Sequence, residues 1–140
     1  MPDPRHPRGI VDTSVLVDLG RIERDDLPEE LAISAISLAE LAAGPHATAD
    51  PAERARRQET LQRAEATFDP IPLDADAARA YGRAYAAVAA AGRKARGRRA
   101  LDLLIAATAI AADLPLYTRN PADFRELESL IEVVEVEAAR

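Results

Sequence analysis

Short apolar runs alternate with longer stretches of helical periodicity along this chain. Residues 9–12, Gly-Ile-Val-Asp, read as a short buried strand ending in an acid. Thr13 and Ser14 then offer a helix cap for 15–19. Residues 31–34 are a second apolar run, read as a strand. Ser37 and Glu40 form a Ser-x-x-Glu capping box, which predicts a helix ending near Gly44 and stopped by Pro45. Asp50, Pro51 and Glu53 suit the cap, first and third positions of a helix running to about Phe68. Residues 71–73 read as a short connecting strand or an extended piece. Asp74 caps a long helix to Ala91, with Gly92 as its stop. Tyr81, Tyr85 and Val88 fall on one face of it, a stripe suited to core or dimer surface rather than to base stacking. Residues 100–112 predict an apolar helix with Asp102 in its first turn. A strand at 114–118, a helical turn at 122–127 and a last strand at 131–136 follow.

Strands alternating with helices predict an α/β fold around a mainly parallel sheet, with helices on both faces. In such sheets ligands bind beyond the carboxyl ends of the strands. No internal repeat or long linker divides the chain, so a single domain over 1–140 is expected. At 140 residues and 48% hydrophobic there is material for one core.

Composition removes several chemistries. With no cysteine there is no disulfide scaffold, thiol nucleophile or thiolate zinc site. His6 and His46 are the only histidines, so a three-His zinc site cannot form in one chain, and His46 beside Pro45 reads as structural. No apolar run reaches the length of a membrane span, and segment 1–9 is Pro- and Arg-rich with no apolar core after it, unlike an export signal. A soluble, cytoplasmic protein with no membrane association is the expectation. Net charge is −6. Five of the 18 basic residues fall within 93–99; the other 13 face all 24 acids, a balance of −11.

Asp12 sits at the carboxyl end of the first predicted strand, and Asn120 and Asp123 follow the end of the 114–118 strand. Glu40 and Asp102, each in a predicted first helical turn, can point over the same rim. An oxygen-rich site of this kind selects hard divalent cations such as Mg²⁺ or Mn²⁺. Each acid also has an ordinary explanation: Asp12 as a cap, Glu40 as half of a capping box, Asp102 as a helix-dipole residue. Asp102 is nonetheless the sole charge over 100–112, and Glu40 the sole charge over 31–49. The basic run 93–99 reads either as a solvated loop or as a rim for a polyanion, with Arg96, Arg98 and Arg99 as candidate RNA contacts.

Four segments resemble the PIN domain, and specifically the VapC ribonuclease toxins of bacterial toxin–antitoxin pairs. They are IVDTSVLV at 10–17, ISLAELAAG at 36–44, ALDLLIAATA at 100–109 and LPLYTRNPADF at 114–124. They span nearly the whole chain in the family's order. The resemblance implies a PIN-like three-layer fold and metal-dependent hydrolysis of RNA phosphodiesters. It implies Asp12, Glu40 and Asp102 as catalytic metal-site residues, with Asn120 at the fourth, normally acidic, position and Asp123 as its loop substitute. Asp12 and Asp102 would hold Mg²⁺, with Mn²⁺ as a substitute, and Glu40 would hold the attacking water or act as its base. Thr13 and Thr118 would orient the carboxylates. A cognate VapB-type antitoxin, an RNA substrate and a homodimer are implied as partners. The residues fit this chemistry, because no His, Cys or Lys is placed as nucleophile or base and the only lysine is Lys94.

Two other classes remain to be separated. A phosphoacceptor domain also places Asp at a strand end, but needs a second nearby acid where Val11 and Ser14 stand here. A noncatalytic PIN-like module binding RNA or a partner is the alternative that Asn120 keeps open, and a metal-dependent nuclease assay distinguishes it.

Overall fold

The computed structural model describes residues 6–137. The segment 1–9, read above as no export signal, lies outside the described residues over 1–5. Four strands, β1 (Arg8–Val11), β2 (Glu30–Ala32), β3 (Leu116–Thr118) and β4 (Val133–Glu135), form one sheet in the order β2-β1-β3-β4. All three pairings are parallel. Five helices accompany them: α1 (Thr13–Leu16), α2 (Ala35–Ala43), α3 (Pro51–Thr67), α4 (Ala75–Ala90) and α5 (Arg98–Ala112). A 3₁₀ turn, Pro121–Leu127, joins β3 to β4.

Successive strand residues face opposite sides of a sheet, and here each side owns a core. Ile10, Ala32 and Leu116 pack with Val88, Leu103, Phe124 and Leu127. Their neighbours Val11, Ile33 and Tyr117 pack with Val15, Leu41 and Ala64 on the other side. This is the expected three-layer arrangement, and burial on both faces explains the apolar run Ile10–Val11 of β1. Gly9 lets β1 approach the Tyr117 ring, since a Cβ there would lie 2.7 Å from Cε1.

The piece at 71–73 takes the extended alternative, with one bridge, Ile71 to Ser34, and no regular strand. Two local expectations shift. The aromatic stripe on α4 divides: Val88 is buried, Tyr81 is half-buried and Tyr85 is 51% exposed. At about 100° per residue, Tyr85 lies about 60° around the helix from Val88. The face that packs is lined instead by Ala77, Ala80, Ala84 and Val88. Finally, α5 begins at Arg98, so two residues of the basic run are helical.

Candidate active site

β1 ends at Val11, and the chain turns straight into α1 with Asp12 as its N-cap. Thr13 and Ser14, expected as caps, are already helical. Asp12 Oδ1 accepts from the Val15 amide at 3.2 Å and from the Ser14 hydroxyl at 2.5 Å. Asp12 is only 4% exposed. Burial pushes its carboxyl above the ordinary range, against the hydrogen bonds from Ser14, Thr118 and Val15.

The neighbouring strand supplies the other supports. The Thr118 hydroxyl, at the end of β3, bonds to Asp12 and accepts from the Asn120 amide at 3.0 Å. Ser14 Oγ accepts from the Arg119 amide at 3.1 Å. The loop after β3 is thereby tied to Asp12 through two hydroxyls. Arg119 itself pairs with Asp18 beyond α1, which engages the cation nearest this rim in sequence.

Glu40 reaches the rim differently from its sequence reading. Ser34, not Ser37, caps α2, its hydroxyl accepting from the Ser37 amide at 3.1 Å. The helix therefore starts one turn early, Glu40 lies beyond its first turn, and the capping-box explanation fails. Its carboxylate instead accepts from the Thr13 hydroxyl at 2.7 Å, and that hydroxyl lies 3.1 Å from Ser37 Oγ.

Asp102 also lies beyond the first turn, because α5 opens at Arg98 after Gly97, whose φ is +55°. The helix-dipole explanation weakens accordingly, since that effect falls off within a turn. Its carboxylate takes no hydrogen bond or ion pair among the described residues. Burial, then the charges of Asp123, Asp12 and Glu40, push it up to about 6, while Arg98 pulls it down. The charges of Asp123, Asp12 and Glu40 thus reach Asp102. Asn120 is exposed and touches the cluster through its backbone, its side-chain amide making no hydrogen bond among the described residues.

The basic run divides in function. Arg93 pairs with the Glu126 carboxylate at 2.7 Å, and Arg99 donates to the Asp123 carbonyl at 3.3 Å, so both hold the turn that carries Asp123. Arg98 borders the acids, and Arg96 is exposed. The sequence reading assigned Ser14 and Ser37 capping roles only and Asp18 none. Ser14 alone left a signal, a hydroxyl two residues after a strand-end acid.

Donor chemistry tests the fit of a metal. Carboxylates whose charges oppose that of Asp102, with Asp12 and Asp102 both raised by burial, suit a hard divalent cation. Among the described residues no three acids already enclose a single point. Mg²⁺ is commonly held by one or two carboxylates with waters completing its shell, and the site fits that mode.

Comparison with known proteins follows the same segments. The PIN domain family profile matches residues 10–130. Ribonuclease VapC5 of Mycobacterium tuberculosis (strain ATCC 25618 / H37Rv) is 35% identical over 133 residues, 91% of this chain and 95% of that protein. Ribonuclease VapC8 of Mycobacterium tuberculosis (strain CDC 1551 / Oshkosh) is 39% identical over 104 residues, 72% of this chain and 89% of that protein. A chain in the crystal structure of VapBC-5, a toxin–antitoxin system from Mycobacterium tuberculosis, matches with a TM-score of 0.81 and 34% identity, over 93% of this chain and 99% of that one.

Proposed function

The chain belongs to the PIN domain family, and from that membership we infer that it is a ribonuclease, the toxin of a toxin–antitoxin pair. Its partner is an antitoxin of the VapB kind. Membership also implies dependence on a divalent metal; Mg²⁺, with Mn²⁺ as substitute, is the ion we propose. Working in the cytoplasm and pairing as a homodimer complete the reading. Among the described residues no helix is long and apolar enough to cross a membrane.

One observation carries the assignment of the site: the charges of Asp123, Asp12 and Glu40 all act on the half-buried Asp102. When bound, a divalent cation lowers the pKa of a water and offsets charge building on the phosphoryl oxygens. Asp12 and Asp102 would hold it, with Asn120 or Asp123 closing the set. Ser14, Thr118 and the Val15 amide keep the buried Asp12 carboxylate in place. Thr13 fixes Glu40 by a 2.7 Å bond. Glu40 would then orient the attacking water and take its proton as the water oxygen bonds phosphorus, while the departing ribose oxygen takes a proton from solvent. Arg98, which acts on Asp102, and Arg99, which donates to the Asp123 carbonyl, would meet the RNA backbone together with the exposed Arg96.

The test is incubation of a total RNA pool with and without Mg²⁺, followed by mapping of cut sites. Discrete metal-dependent cuts support the reading. Their absence would leave a noncatalytic binding module in its place.

A further inference from the structure

Glu40 faces a second space besides the acidic cluster. A cavity of about 480 Å³ between α2, α3 and the start of α5 is lined by Thr13, Glu40, Glu53, Arg56, Arg57 and Arg98. Two helices contribute its arginines: Arg56 and Arg57 from α3, and Arg98 from α5. The side chain proposed to act on the attacking water thus shares this space with three guanidinium groups.

Arg56 and Arg57 are already arranged. Glu53 accepts from Arg56 Nε at 2.8 Å with one oxygen and from Arg57 Nε at 3.4 Å with the other. Arg57 also donates to the Gly44 carbonyl at 2.9 Å, which locks it to the turn after α2. Arg56 bonds through Nε alone among the described residues, and its side chain stays 66% exposed. Its outward N–H groups therefore remain available to a second acceptor. Three cations stand against the two carboxylates Glu40 and Glu53. Its volume lies within the roughly 300–1,000 Å³ of small-ligand pockets, enough for a nucleotide unit.

We propose that this cleft is the RNA-backbone subsite on the Glu40 side of the scissile bond, with Arg56 and Arg98 pairing with phosphates there while Arg57, tied to the Gly44 carbonyl, holds its shape. The proposal rests on the ribonuclease reading and adds a direction: the strand leaves the acidic centre toward α3. Arg56 lies 42 residues from Arg98 in sequence, and the fold brings both to one cavity.

The experiment measures binding of a fluorescein-labelled, mixed-sequence single-stranded RNA by anisotropy, in the Asp102→Asn background so that the strand stays intact. Arg56→Gln should weaken binding about 3–5-fold, as for an exposed ion pair. It should also flatten the slope of log affinity against log salt by about 0.7, one single-strand phosphate contact. Glu53→Gln, which removes the competing anion, should tighten binding. Arg79→Gln makes the same charge change as Arg56→Gln at an exposed ion pair on α4, and should leave affinity unchanged. In the wild-type background Arg56→Gln should lower kcat/KM and spare kcat. Equal effects of Arg56→Gln and Arg79→Gln would overturn the subsite, as would no tightening by Glu53→Gln. So would a cleft that responds to an acidic peptide and not to RNA. Failure of the ribonuclease reading appears separately, as a wild-type protein that cuts no RNA with metal present.

Discussion

Replacing Asp102 by Asn should stabilise the metal-free protein while abolishing its activity. The change is nearly isosteric, and Leu103, Ile105 and Ala106, which build the core, are untouched. It deletes a charge that burial, Asp123, Asp12 and Glu40 all oppose. The Asp102 carboxyl titrates at about 6 in the fold against 3.8 in the unfolded chain. A gap of about 2 units corresponds to about 3 kcal/mol at roughly 1.4 kcal/mol per unit. Solvent screening at this half-buried position reduces that to about 1–2 kcal/mol. Because the folded pKa is raised, the fold binds more protons than the unfolded chain between about pH 4 and 6. Stability from this group is therefore full below about pH 4 and lost as pH rises through 6. Asn is immune to that loss. In chelator near neutral pH, Asp102→Asn should melt about 3–8 °C higher than wild type, with the gain vanishing toward pH 4. Added Mg²⁺ should reverse the order, since it binds and stabilises wild type more strongly. RNA cleavage should fall at least about 10²-fold. Equal melting of both proteins in chelator at neutral pH would refute the claim that the carboxylates repel one another. Full activity of the variant would remove Asp102 from the site altogether.

Other changes probe separate links. Thr13→Val removes the 2.7 Å bond to Glu40 and should lower kcat about 10–100-fold with Mg²⁺ affinity nearly intact, read by cleavage rates against metal titration. Gly9→Ala places a Cβ 2.7 Å from the Tyr117 ring and should destabilise by about 1–3 kcal/mol in denaturant melts, far from any effect on the acids themselves. Neutralising Arg96, Arg98 and Arg99 together should weaken RNA binding and flatten its salt dependence, with unchanged binding identifying the run as solvated surface. Of the three single variants, Arg99→Gln should also lower the melting temperature, because Arg99 donates to the Asp123 carbonyl.

The sheet was legible because the strands are short runs rich in apolar residues, and the structure divides neighbours such as Ile10 and Val11 between two cores. Helix starts were less legible, for particular reasons. Ser34 and Ser37 both suit a cap, and only the fold shows that Ser34 takes it while Ser37 lies buried beside Thr13. Arg98 and Arg99 are good helix formers hidden in a run of charge, and Gly97 gives no side-chain cap to announce α5. Both misplacements concern the site, because they supplied Glu40 and Asp102 with ordinary explanations that the helix boundaries then withdraw. Asp12 keeps its ordinary role as well, capping α1 while presenting a carboxylate to the rim. The supports from Ser14, Thr118 and the Asp18–Arg119 pair join segments about 100 residues apart and have no local pattern to betray them.

The central claim is that these carboxylates hold a divalent ion at the carboxyl end of the sheet. Anomalous diffraction from crystals soaked in Mn²⁺ tests it most directly. The account predicts a peak bonded to Asp12 and Asp102, with Glu40 close enough to reach its water, and no such peak in Asp12→Asn crystals. A peak held elsewhere, or one that persists unchanged in Asp12→Asn, would contradict it.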